Sequence, residues 1–316
     1  MKYIGIYLQY FLIVSITILS RHAPILFLQS DTRPLDGNIS SADYNSMTAV
    51  LNHHFARLHG GQYIYLLQNS ETLLDEVQKN YGLNMSGYTV NMAGATVEKN
   101  KPTCFNTNLK QLRASPWCKL LAVWNITTSI ANDRYGHIVF IDSDAAFNAK
   151  SMARNIHHAM TSWIGKELWG TEVMKACLIL LSTAPFPGLE CDGIMIFNSS
   201  NLDKLANMIK EWWNFDRKEN NFAHPYEQQA LDILLLSGHF SLSQNTVSVV
   251  NETQFPPFDS SLWVTHAGHP WASERKNIFL KMLHYLGYND DLFLSAISEI
   301  SVKELSMYDV SISINN

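Results

Sequence analysis

The run Ile138-Val139-Phe140-Ile141, followed at once by Asp142-Ser143-Asp144, does most to constrain what this chain can fold into. Three β-branched residues and one aromatic suit a short buried strand and are too few for a helix. The apolar run stops at two carboxylates spaced i and i+2, which therefore sit at or just past the strand's carboxyl end. In an open α/β sheet that edge is where ligands bind. Two carboxylates brought together repel each other unless a cation lies between them. A hard divalent ion, Mn²⁺ or Mg²⁺, suits oxygen ligands, and such ions usually bind a substrate diphosphate as well. The same three residues also make an ordinary Asp-Ser-Asp turn.

Around this strand, helical and extended patterns alternate. Ser46 to Leu58 places Val50, Leu51, His54, Phe55 and Leu58 on one helical face, and Gly60-Gly61 stops it. Tyr63 to Leu67 predicts a strand and Ser70 to Lys79 a second helix. Ser115 caps, and Pro116 opens, a helix through Leu120, Leu121 and Trp124 towards Ile130, with Gly136 leading into the 138–141 strand. An apolar run at Cys177–Leu181 and a strand at Ile194–Phe197 follow. Helices are then expected at Asn201–Trp213 and Tyr226–Leu236, a short strand at Trp263-Val264, and a last helix from Trp271 to Leu286 ended by Gly287. This alternation predicts an α/β fold with βαβ units and a mostly parallel sheet flanked by helices.

Tyr3 to Leu19 is almost wholly apolar, preceded by Lys2 and followed by Arg21 and His22. Its length lies at the short end for a membrane-spanning helix and near the long end for a signal-peptide core. The expected organisation is a membrane anchor or signal segment at 1–21, a stem or linker at 22–45 containing Pro24, Pro34 and Gly37, a single catalytic domain at 46–289, and a tail at 290–316. As an anchor or a signal the first segment sends the chain into the secretory pathway, as a type II single-pass protein of the Golgi or another membrane, or as a secreted protein; as a core helix of a soluble domain it does not. Asn38, Asn84, Asn125, Asn198 and Asn251 all begin glycan acceptor sequons. Cys104 and Cys118, and Cys177 and Cys191, are close enough in sequence to pair, though four cysteines allow three pairings. No cysteine or histidine spacing fits a structural zinc site. A formal net charge of −5 leaves no basic excess for nucleic acid.

Four further segments carry candidate chemistry. His266, in Trp263-Val-Thr-His266-Ala-Gly268-His269-Pro, follows a short strand, and Gly268 lets backbone approach a ligand closely. Neutral imidazole binds Mn²⁺ well and Mg²⁺ less well, so His266, with His269 as competitor, is the candidate third ligand. Asp192, before Gly193 at the entry to a strand, can accept hydrogen bonds from sugar hydroxyls or make a plain Asp-Gly turn. Glu227 and Gln228 lie in the first turn of a helix, where a carboxylate suits the macrodipole and can also face a polar substrate. Lys119 can reach a diphosphate oxygen or lie solvated on its helix.

In order along the chain, Pro116-Trp-Cys-Lys119, the strand into Asp142-Ser143-Asp144-Ala, Asp192-Gly193-Ile-Met-Ile-Phe-Asn198, Glu227-Gln228-Gln-Ala-Leu and His266-Ala-Gly268 form a pattern. It resembles metal-dependent nucleotide-sugar glycosyltransferases of the GT-A fold. The group most like it is the galactosyl- and xylosyltransferase family that includes yeast mannan galactosyltransferases and plant xyloglucan xylosyltransferases. The resemblance covers about residues 46–286. It implies that Asp142, Ser143, Asp144, Lys119 and Gly268 hold the metal and the UDP-sugar diphosphate, and that Asp142, Asp144 and His266 ligate Mn²⁺ (or Mg²⁺). It also implies that Asp192, Glu227 and Gln228 line the sugar and acceptor pocket, and that transfer to a glycan or polysaccharide retains anomeric configuration. Cys191 stands where the family usually has Asn, and Tyr226 where it commonly has an acid. Both departures leave donor sugar and stereochemistry open. A catalytically inactive sugar-binding homologue of the same fold and a metal-dependent phosphoesterase are the competing classes.

Overall fold

A computed structural model describes residues 24–89, 102–129, 134–157, 179–183, 190–199, 202–217, 221, 226–237, 247–250, 253–254, 263–267, 273–305 and 307. In chain order its elements are β1 (Ile25–Asp31), α1 (Tyr44–Leu58), β2 (Gln62–Gln68), α2 (Leu73–Tyr81), β3 (Cys104–Asn106), β4 (Gln111–Arg113) and α3 (Ser115–Ser129). Then come β5 (His137–Ile141), β6 (Ala145–Phe147), α4 (Ala149–Met152), β7 (Ile179–Thr183), β8 (Glu190–Asn198), α5 (Leu202–Trp213) and α6 (Tyr226–Leu236). The last are β9 (Val247–Val250), β10 (Thr253–Gln254), β11 (Val264–His266), α7 (Arg275–Tyr285), α8 (Asp290–Glu299) and β12 (Ser301–Leu305).

The main sheet has the order β12-β2-β1-β5-β8-β7-β9. Pairings from β12 through β5, and β7 with β9, are parallel, whereas β8 runs antiparallel to both β5 and β7. The expected α/β class with a mostly parallel sheet flanked by helices is what forms. The antiparallel β8 was not expected, because an isolated apolar run carries no sign of its direction.

Helices cover both faces, so the central strands are apolar on both sides, as parallel sheets require. All seven residues of β1 are buried. Leu26, Leu28, Ile138, Phe140 and Phe197 pack on one side with Trp117, Leu120 and Trp213 of α3 and α5. Ile25, Phe27, Val139 and Ile141 pack on the other with Val50 and Phe55 of α1 and Phe279 of α7. Gly61, just before β2, is fixed by this packing. A Cβ there would lie 2.6 Å from the Phe27 ring and 2.9 Å from the Ile25 carbonyl oxygen.

Two expectations about boundaries are corrected. Residues 22–45 are not a linker, since β1 lies within them and pairs with both β2 and β5 at the heart of the sheet. Its short apolar run was hidden by the prolines that bracket it. Asp43, expected in the linker, accepts a hydrogen bond from the Tyr44 amide and caps α1. Nor is 290–316 only a tail. Phe293 of α8 is buried in the core, and β12 extends the sheet beside β2. As a largely exposed edge strand, β12 needs no apolar pattern.

Cys104 and Cys118 form a disulfide that ties β3 to α3, while Cys177 lies outside the described residues. Closing a loop with a sequence separation of 14 stabilises by about 3 kcal/mol in the chain-entropy account. No helix among the described residues is long and apolar enough to cross a membrane, and the apolar segment 3–19 lies outside them.

Candidate metal centre at the carboxyl edge of the sheet

β5 ends at Ile141, and the chain turns at once, with the Ala145 amide donating to the Asp142 carbonyl at 3.0 Å. The turn feeds β6, which pairs antiparallel with β11 so that Ala145 faces His266. Sequence-distant Asp142, Asp144 and His266 thereby converge, with one ligand atom from each lying within 4.8 Å of the others. All three are partly exposed, so the cluster is open to solutes.

The loop is held from α1 by a buried polar network. Thr48 Oγ1 donates to the Ser143 carbonyl at 2.8 Å. Asn52 donates to the Ala145 carbonyl at 3.1 Å and accepts from the Phe147 amide at 3.0 Å. Gln29 of β1 braces both, donating to Thr48 Oγ1 at 3.0 Å and accepting from Asn52 at 3.0 Å. Each buried bond contributes about 1 kcal/mol, and leaving one partner unsatisfied costs more.

Two cations back the carboxylates. Lys119 Nζ lies 3.2 Å from Asp142 and 2.9 Å from Glu227 Oε1, with Lys119 and Glu227 both buried. Arg275 Nη2 lies 2.9 Å from Asp144 Oδ2, while His266 Nε2 lies 3.1 Å from Asp144 Oδ1. Arg275 Nε also donates to the Ala267 carbonyl at 2.5 Å and Nη1 to the Tyr44 hydroxyl at 3.2 Å. The Ala267 amide returns a bond to the Asp144 carbonyl at 2.8 Å. Burial alone would raise the Asp144 pKa, but His266, Arg275 and Lys119 outweigh it and hold the carboxyl well below its usual range. Asp144 is therefore an anion at any physiological pH, as a hard-cation ligand must be.

Of the residues expected at the site, Lys119, Asp142, Asp144, Glu227 and His266 are brought together. Ser143 contributes its backbone. Gln228 follows Glu227 in α6 and is partly buried. In β8, Ile194 pairs with Ile141, so the backbone of Asp192 continues past the end of β5 to the same edge. Its side chain, and Gly268 and His269, lie outside what the structure describes. Arg275 was missed. An arginine opening an amphipathic helix reads as solvated, and nothing local signals that it reaches a turn more than a hundred residues earlier.

No model of a known protein family matches the chain, and no curated protein does. Solved structures similar to it include a glycosyltransferase involved in the glycosylation of the major capsid of PBCV-1, with 12% identity, TM-score 0.49, and 81% of this chain and 98% of that one covered. The glycosyltransferase GlyE of Streptococcus pneumoniae TIGR4 is 9% identical with a TM-score of 0.45, over 87% of this chain and 62% of that one. Mouse xyloside xylosyltransferase 1 is 9% identical with a TM-score of 0.38, over 79% and 98%.

Proposed function

We propose that the chain is a metal-dependent glycosyltransferase that moves a hexose or pentose from a UDP-sugar to a glycan or polysaccharide acceptor with retention of configuration. The observation that carries this reading is the Asp142, Asp144 and His266 cluster at the carboxyl edge of the sheet. Its donor set, two carboxylate oxygens and an imidazole nitrogen, fits Mn²⁺ better than Mg²⁺. The charge balance fits a bound diphosphate. Among the described side chains, Asp142, Asp144 and Glu227 oppose Lys119 and Arg275, leaving one surplus negative charge when His266 is neutral. A divalent cation would turn this into one surplus positive charge, which an anionic diphosphate then matches.

Such a cation would supply Lewis-acid neutralisation of charge on the departing diphosphate. The chain's own residues would do the rest. Asp142 and Asp144 are pre-set by Thr48, Asn52 and Arg275, so the site needs little rearrangement to bind. Lys119 is aimed at the same region and would bind a phosphate oxygen. Glu227 already engages Lys119, which suits a role in holding that cation and orienting the donor sugar rather than in taking a proton. Asp192, at the same edge, would orient sugar hydroxyls. If configuration is retained, no dedicated base is required and the leaving phosphate takes the acceptor proton; if it is inverted, Asp192 or Glu227 is the general base. Exposed sequons at Asn38, Asn84 and Asn125, together with the Cys104–Cys118 disulfide, support a secretory-pathway location with residues 3–19 as anchor or signal.

The test is transfer of labelled sugar from a panel of UDP-sugars with Mn²⁺ present. Transfer by the wild-type chain that is lost in Asp142→Asn and Asp144→Asn, with far-UV spectra unchanged, supports the reading. Equal metal-dependent transfer by both variants contradicts it.

A further inference from the structure

The sheet also has a cavity at its other edge, the amino-terminal ends of β2 and β12. It is an open cleft of about 710 Å³, within the range of small-molecule sites. Arg57, Arg134 and Lys303 line it, together with His53, and Ile64 and Ile126 give it an apolar wall. α1, the segment before β5 and β12, far apart in sequence, thus bring cations to one space. The chain as a whole is acidic, with a formal net charge of −5.

The local charge balance is positive. Arg57 pairs with Glu299. Among the described residues Arg134 and Lys303 make no ion pair, although the Arg134 guanidinium sits 5.3 Å from the Tyr135 ring centroid. His53 is kept neutral by burial and by the nearby Arg57 charge. The carbonyl ends of α1 and α3 reach this edge and subtract from the potential. Arg57, in the last turn of α1, offsets the first of these. Among the described residues two cations remain without an ion pair beside Ile64 and Ile126, in a space far larger than an inorganic anion.

We infer that this cavity is a second ligand site, for a dianionic phosphate monoester whose organic part lies against Ile64 and Ile126. Guanidinium forks match phosphate oxygens in two-point geometry, and an ammonium adds a point charge. Two uncompensated cations match a dianion. The site lies a strand's length from Asp142 and Asp144 and needs neither of them, so it does not depend on the proposed transferase reaction. The ligand is either a soluble phosphorylated small molecule or the headgroup of a phosphomonoester lipid.

The full chain, with EDTA present, is titrated with glycerol 3-phosphate by calorimetry. Saturable binding that is unchanged in Asp144→Asn and at least ~tenfold weaker in the Arg134→Gln/Lys303→Gln double variant supports the site. Both substituted residues are exposed, so the fold should survive, and a far-UV spectrum verifies it. Absence of saturable binding, or equal binding by the double variant, overturns the proposal. Co-sedimentation with phosphatidylcholine vesicles containing phosphatidic acid separates the two sources. Sedimentation competed by glycerol 3-phosphate and lost in the double variant assigns the lipid headgroup. Binding in solution without sedimentation assigns the soluble ligand. Sedimentation retained by the double variant, with no binding in solution, also overturns the proposal.

Discussion

Asp144 is gripped from three directions, by His266, by Arg275 and through its backbone by Ala267. Arg275 also spans to Tyr44, so it locks the β11 end, the Asp-Ser-Asp turn and the start of α1 together. Arg275→Gln should lower Mn²⁺ affinity about 10–100-fold, as loss of a buried partner of a ligating carboxylate does. It should also destabilise the fold by roughly 3 kcal/mol, because Asp144 is left as a poorly compensated charge. Mn²⁺ titration by electron paramagnetic resonance and urea denaturation read the two effects, and wild-type values for both would refute the positioning role. His137, at the start of β5, gives a pH signature. Burial, with His157 adding to it, lowers its pKa to about 4. The fold favours neutral His137, so its contribution is complete above about pH 6.5 and is lost as the pH falls towards 4, by about 3 kcal/mol. Asp144, whose folded pKa is depressed, contributes above about pH 3.9 and loses that contribution only at lower pH. The two windows therefore separate. His137→Asn should flatten the pH 4–6.5 limb of the denaturation midpoint and leave the more acidic limb in place.

At the scale of elements, α1 is both a wall of the core and the brace of the candidate site. Phe55 stacks on Phe147 with ring centroids 3.6 Å apart, fixing β6 against the helix. Asn52 adds polar bonds to Ala145 and Phe147 at the two ends of β6. Asn52→Ala should cost about 2–4 kcal/mol, since it leaves a buried carbonyl and amide unsatisfied. It should weaken Mn²⁺ binding although Asn52 touches no ligand atom, and a calorimetric pair of stability and metal titrations checks both. Gly61→Ala should cost about 1–3 kcal/mol, because the Ile25 carbonyl that a Cβ would strike belongs to a central strand and cannot yield. Reading the sequence succeeded where an element carries its own pattern. The amphipathic face of Val50, Leu51 and Phe55 revealed α1, and Tyr226–Leu236 formed as expected. It failed where pattern and role part company. Ile25–Leu28 is too brief to stand out between prolines, and β12 is polar because it lies at an edge.

For the whole molecule, the mixed sheet delivers its chemistry to one edge by topology. β5 ends there at Asp142, β8 enters there past Ile194, and β11 brings His266 alongside. The carboxylate pair was legible because an apolar run stopping at two acids is a local pattern. His266, Lys119 and Glu227 could be nominated singly, yet only the fold brings them into one cluster. Arg275 could not be nominated at all, since its partner is distant in sequence. The cluster is proposed to bind a divalent metal and a nucleoside diphosphate together, and calorimetric titration of UDP into the full chain with and without Mn²⁺ measures whether it does. Saturable UDP binding is expected that requires Mn²⁺ and disappears in Asp144→Asn while the variant stays folded. UDP binding that is indifferent to both Mn²⁺ and Asp144, or no binding by the folded wild-type chain with Mn²⁺ present, would contradict it.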